Sequence, residues 1–472
     1  MIPKTMIVGF GAIFIAYIFS QWNDPLGERD HERNVIMAWK RKILLPSKSF
    51  QKLVIGVNAN VDLILNGVAL LEALKVEPGE KIDKEILHSI EDLNTVFAHY
   101  FSKGSAAERA FSNSTDWEGI PNAKYHIGGN GALMAAKISE MFPNVEIQFI
   151  GPVGPKLLEM MPKSINIPEE SHIPNDEVHL IMEYGVGEKW GPYTSPVANR
   201  FIFSNDESNG KGTMFETFFN HFDEEDVNCD LVLVSGLHLL ETQETEYFSK
   251  KLAEIKQGLQ KTPDKVPVHL ELASMANRDL VKQILEEVTP VISSLGLNEQ
   301  ELSFASHAAG GPHDSLFLQM SGQPEIYKIS DMLLWLLKTY AYSKDHPERN
   351  MTRVHFHSLT YHIVGVVPSA WSNIEAAIAA GTRMAGRQAC DTKRLNSDLV
   401  TLQIPSKFKL YTGDEEREFN SHNPVLSWEL DGFKFAFSPV LVCKNPLKTV
   451  GLGDSISATG LMYSEYNADF RH

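Results

Sequence analysis

The chain has 472 residues, 43% hydrophobic and 22% charged, an ordinary globular composition with room for one large domain and a smaller one. Its 60 acidic and 43 basic residues give a formal net charge of -17, which opposes non-specific binding to nucleic acid. Three cysteines exclude a disulfide scaffold and allow at most one bridge, with no pairing favoured.

Lys4 places a positive charge before Met6–Phe19, a run without charged residues. The run is shorter than the ~20 apolar residues a membrane span needs. Residues 1–20 therefore read as a signal peptide or an uncleaved anchor, and membrane association is expected only through this segment. Residues 21–52 are polar and read as a linker, or a helix outside the core. The sequons Asn113-Ser114-Thr115 and Asn350-Met351-Thr352 fit passage through the secretory pathway. The expected location is the endoplasmic reticulum lumen or the exterior.

From Leu53 onward, short apolar runs alternate with longer helical patterns. The runs Leu53–Val57, Glu146–Ile150, Leu231–Ser235, Val266–Leu272, Pro290–Leu295 and Val354–Ser358 read as strands. Phe248, Leu252, Ile255 and Leu259 recur at helical spacing within Thr245–Gln260. This alternation predicts an α/β fold, a mostly parallel sheet covered by helices on both faces. Residues 64–121 and 176–206 fit it less well and are assigned to a smaller α+β lid.

Three of these runs lead into polar residues: Asn58-Ala59-Asn60-Val61-Asp62, His269-Leu270-Glu271, and Asn298-Glu299-Gln300-Glu301. The carboxyl ends of strands line the binding crevice of an open α/β sheet. Near the C-terminus stands Thr449-Val450-Gly451-Leu452-Gly453-Asp454-Ser455. Its glycines leave backbone N–H groups unobstructed where a helix can begin, a suitable place for an anion. Asp454 at that mouth can accept a proton from an attacking hydroxyl.

Together with Gly128-Gly129-Asn130, these motifs stand in the order seen in ribokinase-like kinases. His269-x-Glu271, Asn298-x-x-Glu301, Ala198-Asn199-Arg200-Phe201-Ile202 and Lys444-Asn445-Pro446 narrow the match. From about Leu53 to its end the chain resembles the ADP-dependent branch, most closely the animal ADP-dependent glucokinases. The resemblance implies a ribokinase-like fold over 53–472 and phosphoryl transfer from ADP to the 6-hydroxyl of glucose, giving glucose 6-phosphate and AMP. It implies Asp454 as general base, Gly451 and Gly453 as phosphoryl-binding amides, and Arg200 on phosphate oxygens. Asn60, Asp62, Glu108, Gly129, Asn130 and His179 would hold the sugar. Asn298, His357, Ser358, Cys443 and Gly453 would hold the nucleotide. One Mg²⁺ would lie at Glu271, Glu301 and Asp454, directly or through water.

No Lys or Arg cluster adjoins Gly128–Asn130, which favours a neutral hexose over a sugar phosphate. The small molecules glucose and ADP are the expected partners of a monomeric enzyme. ADP as donor comes from the resemblance alone. ATP as donor, another acceptor, or a non-catalytic sugar or nucleotide sensor are the competing readings. Retention of Asp454, Glu271 and Glu301 favours an enzyme.

Overall fold

A strand buried on both faces must send alternate side chains into two separate cores. Leu231–Val234 does so, with Val232 and Val234 in one hydrophobic cluster and Leu231 and Leu233 in the other. The computed structural model describes residues 25–84, 86–105, 107–111, 124–223, 228–263, 265–273, 275–319, 324–447 and 451–471. Among these, ten strands form the large sheet. Its order is Leu426–Leu430, Phe433–Pro439, Tyr361–Val366, Arg353–His357, Ser294–Leu297, Val268–Glu271, Leu231–Val234, Lys52–Gly56, Glu146–Ile150, Ile165–Asn166. The strands from Arg353–His357 to Ile165–Asn166 are parallel. The first three extend the sheet antiparallel.

Helices Thr245–Leu259 and Ile326–Tyr340 cover one face with Phe248, Leu252, Leu333 and Leu336. Helices Asn130–Met141, Ile374–Ala389 and Leu452–Met462 cover the other with Ile138, Ile378 and Leu461. The expected parallel, doubly covered sheet is present. Two boundaries shift for one reason, because proline brings no N–H to a ladder. Pro267 precedes the Val268–Glu271 strand, and Pro290 sits in the turn Thr289–Val291 before Ser294–Leu297.

The smaller sheet is wider than the two expected lid segments. Its order is Ile86–Leu87, Ala107–Phe111, Asn199–Asn205, Val178–Tyr184, Asn60–Asn66, Lys124–Gly128. It therefore starts at Asn60 and includes residues after 121. Phe97 and Phe101, from helix Ile90–Lys103, pack with Tyr184, Trp190 and Phe201 to give the lid its own core.

The segment 21–52 is corrected from a linker or peripheral helix. Helix Pro25–Lys42 buries Val35 and Trp39, and the Trp39 indole N–H donates to the Ser438 hydroxyl at 3.0 Å. The apolar run within 1–20 and the Asn113 sequon lie outside the described residues, as do Thr449 and Val450. In the second sequon the Asn350 amide donates to the Val291 carbonyl at 3.3 Å, and Thr352 is fully buried. Among the described helices, none is long and apolar enough to cross a membrane.

Candidate active site

Five neighbouring strands of the large sheet deliver polar residues to one rim. His357 and Glu271 end their strands, while Asn298, Ser235 and Asn58 follow theirs within two residues. The lid sheet faces this rim with Asp62, His179 and Arg200. Between them lies a cleft of about 320 Å³ into which Gly451, Gly453 and Asp454 also project.

Asp454 is the third residue of helix Leu452–Met462, which Gly451 starts with a φ of 65°. That left-handed conformation suits glycine, and the first amides of a helix have no partner within the helix itself, which suits them to an anion. Asn130 Nδ2 donates to Asp454 Oδ1 at 2.7 Å, and Asn58 Nδ2 donates to Asn130 Oδ1 at 3.3 Å. Asn58 Oδ1 accepts from the Gly131 amide at 3.0 Å and the Ser235 hydroxyl at 2.6 Å. Burial, then the negative charge of Glu271, push the Asp454 carboxyl up to about 7, against the Asn130 hydrogen bond. A carboxylate poised near neutral pH is suited to general-base work.

Glu271 is buried and accepts three hydrogen bonds. His357 Nε2 donates to Oε1 at 2.8 Å, while His269 Nε2 and the Ser457 hydroxyl donate to Oε2 at 3.0 and 2.5 Å. Burial opposes its ionisation, but the bonds from His269 and His357 prevail and hold it at about 2. Glu301 differs, for burial pushes it up to about 8 despite the nearby His357. It forms a capping box with Asn298, whose Oδ1 accepts from the Gln300 and Glu301 amides. Asn298 Nδ2 in turn donates to Glu301 Oε1 at 2.8 Å.

Among the described residues, no three His, Cys, Asp or Glu side chains gather closely enough to cage a metal. Glu271, Glu301 and Asp454 nevertheless share the cleft wall, and their mutual repulsion contributes to the raised values of the latter two. Buried like charges with few free lone pairs fit a hard cation held largely through water.

On the lid side, Asn60 Nδ2 donates to Asp62 Oδ1 at 2.7 Å. A Cβ on Gly128 would stand 2.2 Å from that same oxygen, so glycine is required for Asp62 to occupy its place. Gly129, at a φ of 79°, starts the Asn130 helix. His179 Nε2 meets Asp206 Oδ2 at 2.6 Å. Glu177 lies behind that pair, hydrogen-bonded to Asp206 and to the Ser208 and Asn209 amides. Burial and the Asp206 charge push Glu177 up to about 8. Arg200 lines the cleft and forms no ion pair among the described residues. Glu108 pairs in register with Ile202, which lines the cleft, and its side chain lies outside the described residues.

Two expected nucleotide ligands are not brought to the cleft. The Ser358 hydroxyl bonds the Tyr361 carbonyl and amide and so closes a turn. Cys443 is bonded to Cys390 in a disulfide with 5.5 Å between their α-carbons, so its sulfur is not a thiol available for contact. Conversely, His238 and Asp206 line or support the cleft without being expected there, and Asn58, expected only as part of a polar strand end, takes the role of holding Asn130. Burial drives His238 down to about 4, and its Nδ1 has no hydrogen-bond partner among the described residues. The rule applied to three strand ends would have found Ser235 and His238 behind Leu231–Val234. No sequence signal marks Asp206, which acts through His179.

Residues 51–463 match the ADP-specific phosphofructokinase/glucokinase conserved region. The chain is 43% identical over 452 residues to a protein from Bos taurus named ADP-dependent glucokinase, covering 93% of this chain and 90% of that one. It is 39% identical over 469 residues to a probable ADP-dependent glucokinase of Caenorhabditis elegans, covering 96% and 93%. Its fold resembles that of an ADP-dependent kinase solved with fructose 6-phosphate and ADPβS. The TM-score is 0.63 at 18% identity, over 93% of this chain and 98% of that one.

Proposed function

The chain belongs to the ADP-specific phosphofructokinase/glucokinase family, and we propose that it transfers the terminal phosphoryl group of ADP to the 6-hydroxyl of glucose. The observation that carries this is Asp454 at an amide-lined helix start, facing the same cleft as Arg200 and Asp62. The similarity to the Bos taurus ADP-dependent glucokinase supports the donor and acceptor. Arg200 is the one Lys or Arg among the residues lining the described cleft, which supports a neutral sugar over a sugar phosphate.

Asp454 takes the hydroxyl proton as the sugar oxygen attacks phosphorus, and the bond to the AMP oxygen breaks. The first amides of the Leu452–Met462 helix and Arg200 stabilise charge on the oxygens in transit. Asn130 keeps Asp454 turned toward the acceptor. Asn60, Asp62 and His179 orient the hydroxyls from the lid. Glu271 and Glu301 would hold one Mg²⁺, mainly through water. Its chemistry there is neutralisation of phosphate charge.

A coupled assay of the purified chain tests this reading with Mg²⁺, either ADP or ATP, and either glucose or fructose 6-phosphate. The expected result is glucose 6-phosphate and AMP from glucose and ADP. Equal or better use of ATP overturns the donor, and preference for fructose 6-phosphate overturns the acceptor.

We also propose residence in the secretory pathway. The Met6–Phe19 run supports this, as does the Cys390–Cys443 bridge, a bond that persists in oxidising compartments. Protection of the chain from protease in intact microsomes is expected, and full digestion would refute it.

A further inference from the structure

Arg353 sits within the large sheet and is almost completely buried. Its guanidinium lies over the Trp371 ring, 5.6 Å from the centroid, and forms no direct ion pair among the described residues. Burying a charge without an ionic partner is costly. One hydrogen bond shows what the charge is used for: Nη1 donates to the Ser294 hydroxyl at 2.9 Å.

An arginine only donates, so the Ser294 oxygen accepts and its own proton must point elsewhere. It meets His269 Nδ1 at 2.8 Å. Nε2 faces Glu271 Oε2 at 3.0 Å, and a carboxylate only accepts, so the ring proton resides on Nε2 and Nδ1 is left to accept the Ser294 proton that Arg353 cannot take. In the other tautomer an Nε2 lone pair would face the carboxylate and repel it.

We infer that Ser294 and Arg353, which lie behind the cleft wall, are positioning residues that fix the His269 tautomer and through it the orientation of Glu271. The inference rests on the reading of Glu271 as a carboxylate serving the cation and phosphates of ADP. Ser294 is fully buried and lines no part of the cleft, so its removal touches neither sugar nor nucleotide directly.

The test combines tautomer and metal measurements on the full chain. Long-range ¹⁵N–¹H correlation spectra should show His269 protonated at Nε2. With ADP present and no sugar, Mn²⁺ binding read by electron paramagnetic resonance should weaken about 10-fold in Ser294→Ala, the usual scale for an outer partner of a metal site. Glucose affinity, read by intrinsic fluorescence, should stay within two-fold. His269→Gln presents an amide where Nε2–H stood and should keep Mn²⁺ affinity better than His269→Asn, whose amide mimics Nδ1–H. An Nδ1-protonated His269, or equal Mn²⁺ affinity in wild type and Ser294→Ala, overturns the inference. If Ser294→Ala fails to fold, the wild-type tautomer and the Gln–Asn comparison decide. Failure of the kinase reading looks different, for wild type itself would then bind no Mn²⁺ with ADP.

Discussion

Asn130 Nδ2 donates to Asp454 Oδ1 at 2.7 Å, joining residues 324 positions apart in the chain. An asparagine expected at the sugar is thus bonded to the carboxylate expected to act as base. The bond links two helix starts, Asn130–Met141 and Leu452–Met462, that pack on the same face of the large sheet. It gives the carboxylate one fixed oxygen and leaves the other to meet an acceptor hydroxyl.

Gly296→Ala should disable the site from a position that lines no cleft. A Cβ there would stand 1.9 Å from Glu271 Oε2 and 2.9 Å from the Ser457 hydroxyl. Overpacking of this kind costs about 1–3 kcal/mol, and the carboxylate has to leave its three donors. Turnover should fall at least ~10-fold, the low end for loss of an outer-shell contact, while the chain still melts cooperatively. Wild-type kinetics in this variant would show that the position of Glu271 is immaterial.

Trp39→Ala should destabilise the whole chain by about 3–5 kcal/mol, as expected for a large aromatic lost from a core. The indole is fully buried and bonded to Ser438, so the N-terminal helix is part of the main body. Urea denaturation reads this directly. A loss below about 1 kcal/mol, the range of surface substitutions, would return residues 25–42 to the status of an appendage.

Glu177 predicts a pH effect at the junction of the two sheets. Burial and Asp206 raise its folded pKa to about 8, above its ordinary value of 4.5. A raised carboxyl contributes stability that is fully present below the ordinary value and is lost as pH rises through the folded one. Between about pH 5 and 8, the interval between those two values, the wild-type chain should therefore lose stability, and Glu177→Gln should lose less over the same interval. Parallel stability profiles for the two proteins would contradict this assignment.

Much of the architecture was legible from periodicity. Phe248, Leu252, Ile255 and Leu259 mark their helix, and all four lie in one core. The rim was legible where a polar residue follows an apolar strand, as with Glu271 and Asn298. Hydrogen-bond partners were not, because Asn58, Asn130 and Asp454 meet only through tertiary packing. The same limit hid Asp206 behind His179 and tied Cys443 to Cys390. That the helix at 25–42 packs into the core was not legible because most of its residues are charged or polar, and two side chains, Val35 and Trp39, anchor it.

The central claim, that Asp454 is the base of an ADP-dependent glucose phosphorylation, is tested most directly by comparing Asp454→Asn with wild type under saturating glucose, ADP and Mg²⁺. Asparagine keeps the shape and removes the proton acceptor, while Arg200 and the helix amides remain in place. The turnover number should fall ~10²–10⁴-fold, the usual scale for losing a general base, with glucose and ADP binding still measurable by calorimetry. A variant free of host kinases that turns over within a few-fold of wild type would contradict the account.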